Sequence, residues 1–118
     1  LILGGVDIGP DWLHNTADDT DTGEIWIDQV SVGKDMTDTS VVAGIRANGD
    51  YFGDGDDTRT GQDGKGTARI HKINVKGQIS SSGVAGESYA IMAEDGIDWL
   101  RSGGKPFTGA PGVLVDIL

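Results

Sequence analysis

No cysteine occurs among the 118 residues, which excludes a disulfide framework, thiolate chemistry and any zinc site built on Cys. Basic residues are scarce too. Nine Lys and Arg against nineteen Asp and Glu leave a formal net charge of −10 and a pI near 4.3. A field of that sign repels polyphosphate and no basic stripe interrupts it, which argues against nucleic acid as a partner. Anionic membranes are disfavoured for the same reason. No apolar run approaches the ~20 residues that a helix needs to span a bilayer. The glycines follow no G-x-y period, so a collagen-like chain is excluded. With neither an initiator Met nor a signal peptide, the chain is expected to be a processed product or a piece of something longer.

Glycine is abundant instead, at 20 positions, beside a hydrophobic content of 36%. Glycine inside a helix costs about 1 kcal/mol relative to Ala, so this content suits a chain of many tight turns. The length predicts one domain with a thin core.

Internal similarity is the most informative feature. Apolar residues fall at Ile27, Val30, Val32 and Met36, and again 43 residues later at Ile70, Ile73, Val75 and Ile79. Val41-Val42-Ala43 matches Ile91-Met92-Ala93 once a seven-residue insertion within SSSGVAGES is allowed. Ile2-Leu3-Gly4-Gly5-Val6 aligns with Val41-Val42-Ala43-Gly44-Ile45 at an offset of 39. An acidic loop follows each copy, GPDWLHNTADDT after the first and NGDYFGDGDDT after the second. The repeats run over 1–22, 23–65 and 66–107, with a last strand at 112–118. Alternation such as Val113-x-Val115-x-Ile117 has the period of a strand, and Ala90 to Leu100 reads as strand–turn–strand. The predicted fold is all-β: a right-handed parallel β-solenoid of short rungs with long acidic loops, or alternatively a β-sandwich with calcium loops.

VVAGIRANGDYFGDGDDT, the I-x-x-I-x-V-x-G pattern of IHKINVKG, and SYAIMAEDGI together resemble repeats of very large secreted bacterial surface proteins of the planctomycete β-helix type. The resemblance spans roughly residues 1–105. It departs from the pattern at Pro10, at His14-Asn15 and at Asp54-Gly55. It implies an extracellular, cell-surface location, a structural or adhesive role and bound calcium, and it implies no catalytic residue.

Calcium takes six to eight oxygens from carboxylates, amides and backbone carbonyls. Asn48, Asp50, Asp54 and Asp56 fall at alternate positions, the carbonyl of Phe52 fills the gap, and Asp57 adds a further carboxylate. Asp11, Asn15, Asp18 and Asp19 form a poorer set in the first loop. Neither loop is an EF-hand, since both lack the closing glutamate. The competing reading is a solvated acidic turn. Asp35 and Asp38 read as solvated surface.

Trp26 is placed outward by strand alternation, as a sugar platform or a protein contact, or else as a ring that a neighbouring loop covers. Tyr51 reads as a loop anchor, Trp99 with Leu100 as core, and His71 as outward. Glu94-Asp95 is the best carboxylate pair for hydrolysis, and Arg46, Arg59, Lys65, Arg69 and Lys72 are the bases that a polysaccharide lyase would use. A lyase needs a basic cleft, which this acidic chain is a poor candidate to supply. Both ends are apolar, LILGGVDI and GVLVDIL, which predicts end-to-end stacking on another copy or on a longer array. The expected function is therefore structural or adhesive and not enzymatic, that of a filament subunit or a segment of a surface array, with a carbohydrate-binding module as the alternative.

Overall fold

The computed structural model describes residues 1–4, 6–7, 20–21, 26–46, 51–55, 57–59 and 68–117. Within them the chain is all-β, without a helix. The strands are β1 (Ile2–Gly4), β2 (Val6–Asp7), β3 (Thr20–Asp21), β4 (Trp26–Ile27), β5 (Val30–Val32), β6 (Met36–Thr37), β7 (Val41–Ala43) and β8 (Ile45–Arg46). They continue with β9 (Thr58–Arg59), β10 (Arg69–Val75), β11 (Ile79–Ser80), β12 (Tyr89–Ala93), β13 (Gly96–Ser102), β14 (Lys105–Pro106) and β15 (Val113–Ile117).

Parallel pairing dominates. One sheet runs β1-β7-β12-β15, all neighbours parallel. A second centres on β10, which pairs in parallel with β4 and β5 on one side and β13 on the other. β6 and β11 form a parallel pair, while β14 closes antiparallel on β13. β2–β3 and β8–β9 are short antiparallel pairs that flank the acidic loops.

The spacing of 43 seen in the sequence is the register of these sheets. Ile70 faces Ile27, Ile73 faces Val30, Val75 faces Val32 and Ile79 faces Met36. Ile2 faces Val41, and Val41 faces Ile91. Like side chains therefore lie one above another, and their inward members merge into one core that includes Val41, Ala43, Ile70, Ile73, Val75, Ile91 and Ala93. Burial of each Val or Ile side chain among them contributes about 1.5–3 kcal/mol.

The central strands of the β1-β7-β12-β15 sheet, β7 and β12, are covered on both faces. Val41 and Ile91 point into the main core, whereas Val42, Ala90 and Met92 join Ile45, Phe52 and Leu3 in a second cluster. A parallel sheet buried on both faces needs unbroken apolar runs, which is why VVA and AIMA do not alternate. Ala90 to Leu100 is strand–turn–strand, as the sequence predicts, with the turn at Glu94-Asp95 between β12 and β13.

Two features depart from expectation. Asp35 is exposed and Asp38 half-buried, and neither is idle. Asp35 Oδ1 accepts from the Gln78 amide at 2.9 Å and Asp38 Oδ1 from the Ser82 amide at 2.7 Å, so each ties one layer to the next. Trp99 is not a core residue. Ile70 and Ile73 both point inward with two residues between them, so His71 and Lys72 face out together at a corner. β13 follows the same path: Ile97 and Leu100 pack on the core, and Asp98 and Trp99 turn outward.

Candidate functional site

Seven of the ten nominated calcium ligands (Asp11, Asn15, Asp18, Asp19, Asn48, Asp50 and Asp56) lie outside the described residues. The other three belong to a segment held down by apolar packing. Phe52 is 4% exposed and seals the outer face of the β7–β12 sheet. Its carbonyl accepts the Ser88 hydroxyl at 2.9 Å. Asp57 Oδ2 accepts the Gly53 amide at 2.7 Å, and Asp54 is exposed. Gly53 has φ +86, and a Cβ there would sit 3.0 Å from the Tyr89 carbonyl oxygen, so only glycine lets the turn lie this close to β12. Among the described residues no three His, Asp or Glu side chains converge as a metal site.

Beside this turn, Tyr51 and Tyr89 donate their hydroxyls to the two oxygens of Glu87, each at 3.0 Å. Their rings meet edge to face at 5.9 Å. Burial, and then the Glu87 carboxylate, push the Tyr89 phenol from its ordinary 10.0 up to about 12. A raised value means that the neutral phenol stabilises the fold; the contribution is complete below pH 10.0 and disappears as pH rises through about 12. The difference in phenolate absorbance between the parent and Tyr89→Phe should therefore have its midpoint near pH 12. A midpoint at pH 10.0 would refute the half-buried Tyr51–Glu87–Tyr89 arrangement.

The richest polar surface lies on the corner of the β4–β10–β13 sheet. Trp26 is 48% exposed and faces outward from β4. Its ring lies 5.8 Å from that of His71, and the Arg69 guanidinium is 5.7 Å from its centroid. Arg69 in turn bridges Asp95, at 2.8 Å, and Asp98. His71 Nδ1 meets the second oxygen of Asp98 at 3.2 Å. The hydrogen bond from Arg69, then that with His71, hold the Asp98 carboxyl below its ordinary 3.8. Asp98 thus remains a charged acceptor, and its stabilising contribution is lost only as pH falls through that lowered value.

Comparison of the chain with family models, with curated proteins and with solved structures finds no match in any of the three.

The corner also holds Trp99. Lys72 Nζ lies 4.6 Å and Arg101 Cζ 5.2 Å from its ring centroid. A groove of about 370 Å³ beside it is lined by His71, Lys72, Asp98 and Trp99. The sequence carries a signal for this arrangement. IHKI and IDWL share the I-x-x-(I/L) spacing, which aligns Trp99 with Lys72 and Gln29, both polar. Of the carboxylate pair Glu94-Asp95, Glu94 is buried and Asp95 is exposed and bound to Arg69, so the two do not face a common cleft. Of the proposed lyase bases, Arg69 is committed to its two aspartates, and Arg46, Arg59 and Lys65 have no described side chain.

Proposed function

We propose that this chain is a right-handed parallel β-solenoid with a structural or adhesive role outside the cell, stacking end to end with further copies. The observation that carries the reading is the in-register parallel stacking of like residues across successive layers at one shared spacing. A winding chain produces that pattern without any need for closure. β1 and β15 each have one sheet neighbour among the described residues. Both present apolar side chains: Ile2 is 37% exposed, Leu114 41% and Ile117 46%. Adding β1 of one copy to β15 of the next would continue the sheet, and such head-to-tail contact builds an open filament.

Calcium belongs to the same reading, as a rigidifying ion in the 48–57 loop. It is supported by the alternate oxygen-bearing residues there and by the curled backbone at Gly53 and Gly55, with φ +86 and +100. The extracellular location rests on the resemblance of the repeats and loops to bacterial surface proteins.

Electron microscopy of the pure chain, with and without a calcium chelator, tests this reading. Filaments are expected in calcium, and Leu114→Lys/Ile117→Lys should abolish them while leaving the β circular dichroism intact, because charges on an edge strand oppose edge-to-edge pairing. Monomers indifferent to the chelator would remove both the filament and the metal from the proposal. A second reading, sugar binding at Trp26, is favoured by the exposure of its ring above the Arg69–Asp98–His71 network.

A further inference from the structure

We propose that the corner carrying Trp99 binds an anionic saccharide, with Lys72 and Arg101 taking its carboxylate or sulfate ester. The inference extends the second reading from Trp26 to a different ring and gives the ligand a charge; it does not depend on filament assembly.

Lys72 and Arg101 are set apart by what holds them. Arg69, one strand position away from Lys72's corner, is neutralised by Asp95 and Asp98. Lys72 and Arg101 have no carboxylate within 4.0 Å among the described residues, although the chain carries nineteen acidic residues. Both are instead packed on the Trp99 indole, and Arg101 Nη1 also donates to the Gly104 carbonyl at 3.3 Å. A cation–π contact at an exposed site is weak. It positions the two charges without cancelling them. Two pre-positioned cations with spare donors are the groups that recognise a carboxylate or sulfate through charge-assisted hydrogen bonds.

The groove beside this pair, which Lys72 lines and Arg101 does not, narrows the ligand to an acidic saccharide. Its volume of about 370 Å³ lies in the range of small-molecule clefts. Trp99 supplies an apolar wall of the kind that packs against a sugar ring's C–H face. Asp98 stays charged through Arg69 and His71, so it offers an acceptor to a hydroxyl. Ring hydroxyls beside an acid group fit that combination; an acidic peptide, which brings carboxylates without hydroxyls, does not. The net charge of −10 opposes any anion at long range. At 0.15 M salt the Debye length is about 8 Å, so distant charges are screened while a ligand touching Lys72 and Arg101 still feels them.

The test is calorimetric titration near that salt concentration with an oligogalacturonate, a sulfated galactan oligomer and a neutral galactan oligomer, the first two arms distinguishing carboxylate from sulfate. At least one acidic oligomer should bind saturably. Lys72→Gln/Arg101→Gln, which removes both charges and keeps a polar, shorter side chain at each position, should weaken that binding about tenfold or more with unchanged circular dichroism. Trp99→Phe should bind more weakly than the parent and remain folded. Absence of binding by both acidic oligomers would overturn the inference, as would a double variant that binds like the parent. If the neutral oligomer binds as tightly, and only Trp26→Ala removes it, sugar binding at Trp26 stands and the anionic site at Trp99 falls.

Discussion

Gly44→Ala is expected to destabilise the protein by about 3 kcal/mol. Alanine at positive φ costs roughly 1–2 kcal/mol, and forcing atoms into a packed site costs a further ~1–3 kcal/mol. Gly44 has φ +72 and sits between buried neighbours. A Cβ there would lie 2.8 Å from the Ala68 Cβ and would overlap the carboxyl of Glu94, which is buried. The Ala68 Cβ is fixed to its backbone and cannot retreat, and the Glu94 carboxyl could move only by leaving its buried site. The Gly44 amide donates to the Gly4 carbonyl at 2.7 Å, and the Glu94 amide to that of Ala43 at 3.2 Å, so the backbone is tied to layers on both sides. Set against a typical total of about 5–15 kcal/mol, the loss is large. Thermal unfolding should fall by on the order of 10 °C. Gly33→Ala is the control, since nothing lies within 4 Å of a Cβ there and its φ is unremarkable. Equal melting temperatures for the two variants would sink the account of this step.

Ile73→Ala should cost roughly 2–5 kcal/mol, read from the midpoint of denaturant unfolding. Ile73 is fully buried and lies between Val30 and Leu100 of the adjacent strands. Removing its outer carbons leaves a hole that the layers above and below cannot fill without shifting their own side chains. Ile117→Ala, made at an exposed edge position, should stay within about 0.5 kcal/mol of the parent as a monomer. Comparable losses at both positions would mean that the stacked ladder is not the chief source of stability.

These two positions differ in how far the sequence exposes them. Ile73 is visible as part of the spacing of 43, because a stacked parallel sheet rewards the same apolar residue at the same place in each layer. Gly44 is visible only as a member of V-V-A-G-I. Its constraint comes from Glu94, fifty residues away, and no local pattern reports that contact. The acidic segment divides in the same way. Its aspartates stand out, yet the described part is anchored by Phe52, whose burial depends on the outer face of a sheet built from β7 and β12.

The sequence by itself determined the all-β class, the offsets that become strand register and the inward set of aliphatic residues. All of these follow from periodicity and repetition along one chain. Tertiary structure alone decided that Lys72 and Arg101 both pack on the Trp99 ring, that Asp35 and Asp38 cap amides of the neighbouring layer, and that Phe52 closes a second apolar face. The physical reason is parity. Within a straight strand alternate residues share a face, so inside and outside can be read from position. At the corner after Ile70 and Ile97 two successive residues point outward, alternation shifts by one, and the neighbouring layers dictate where that shift falls.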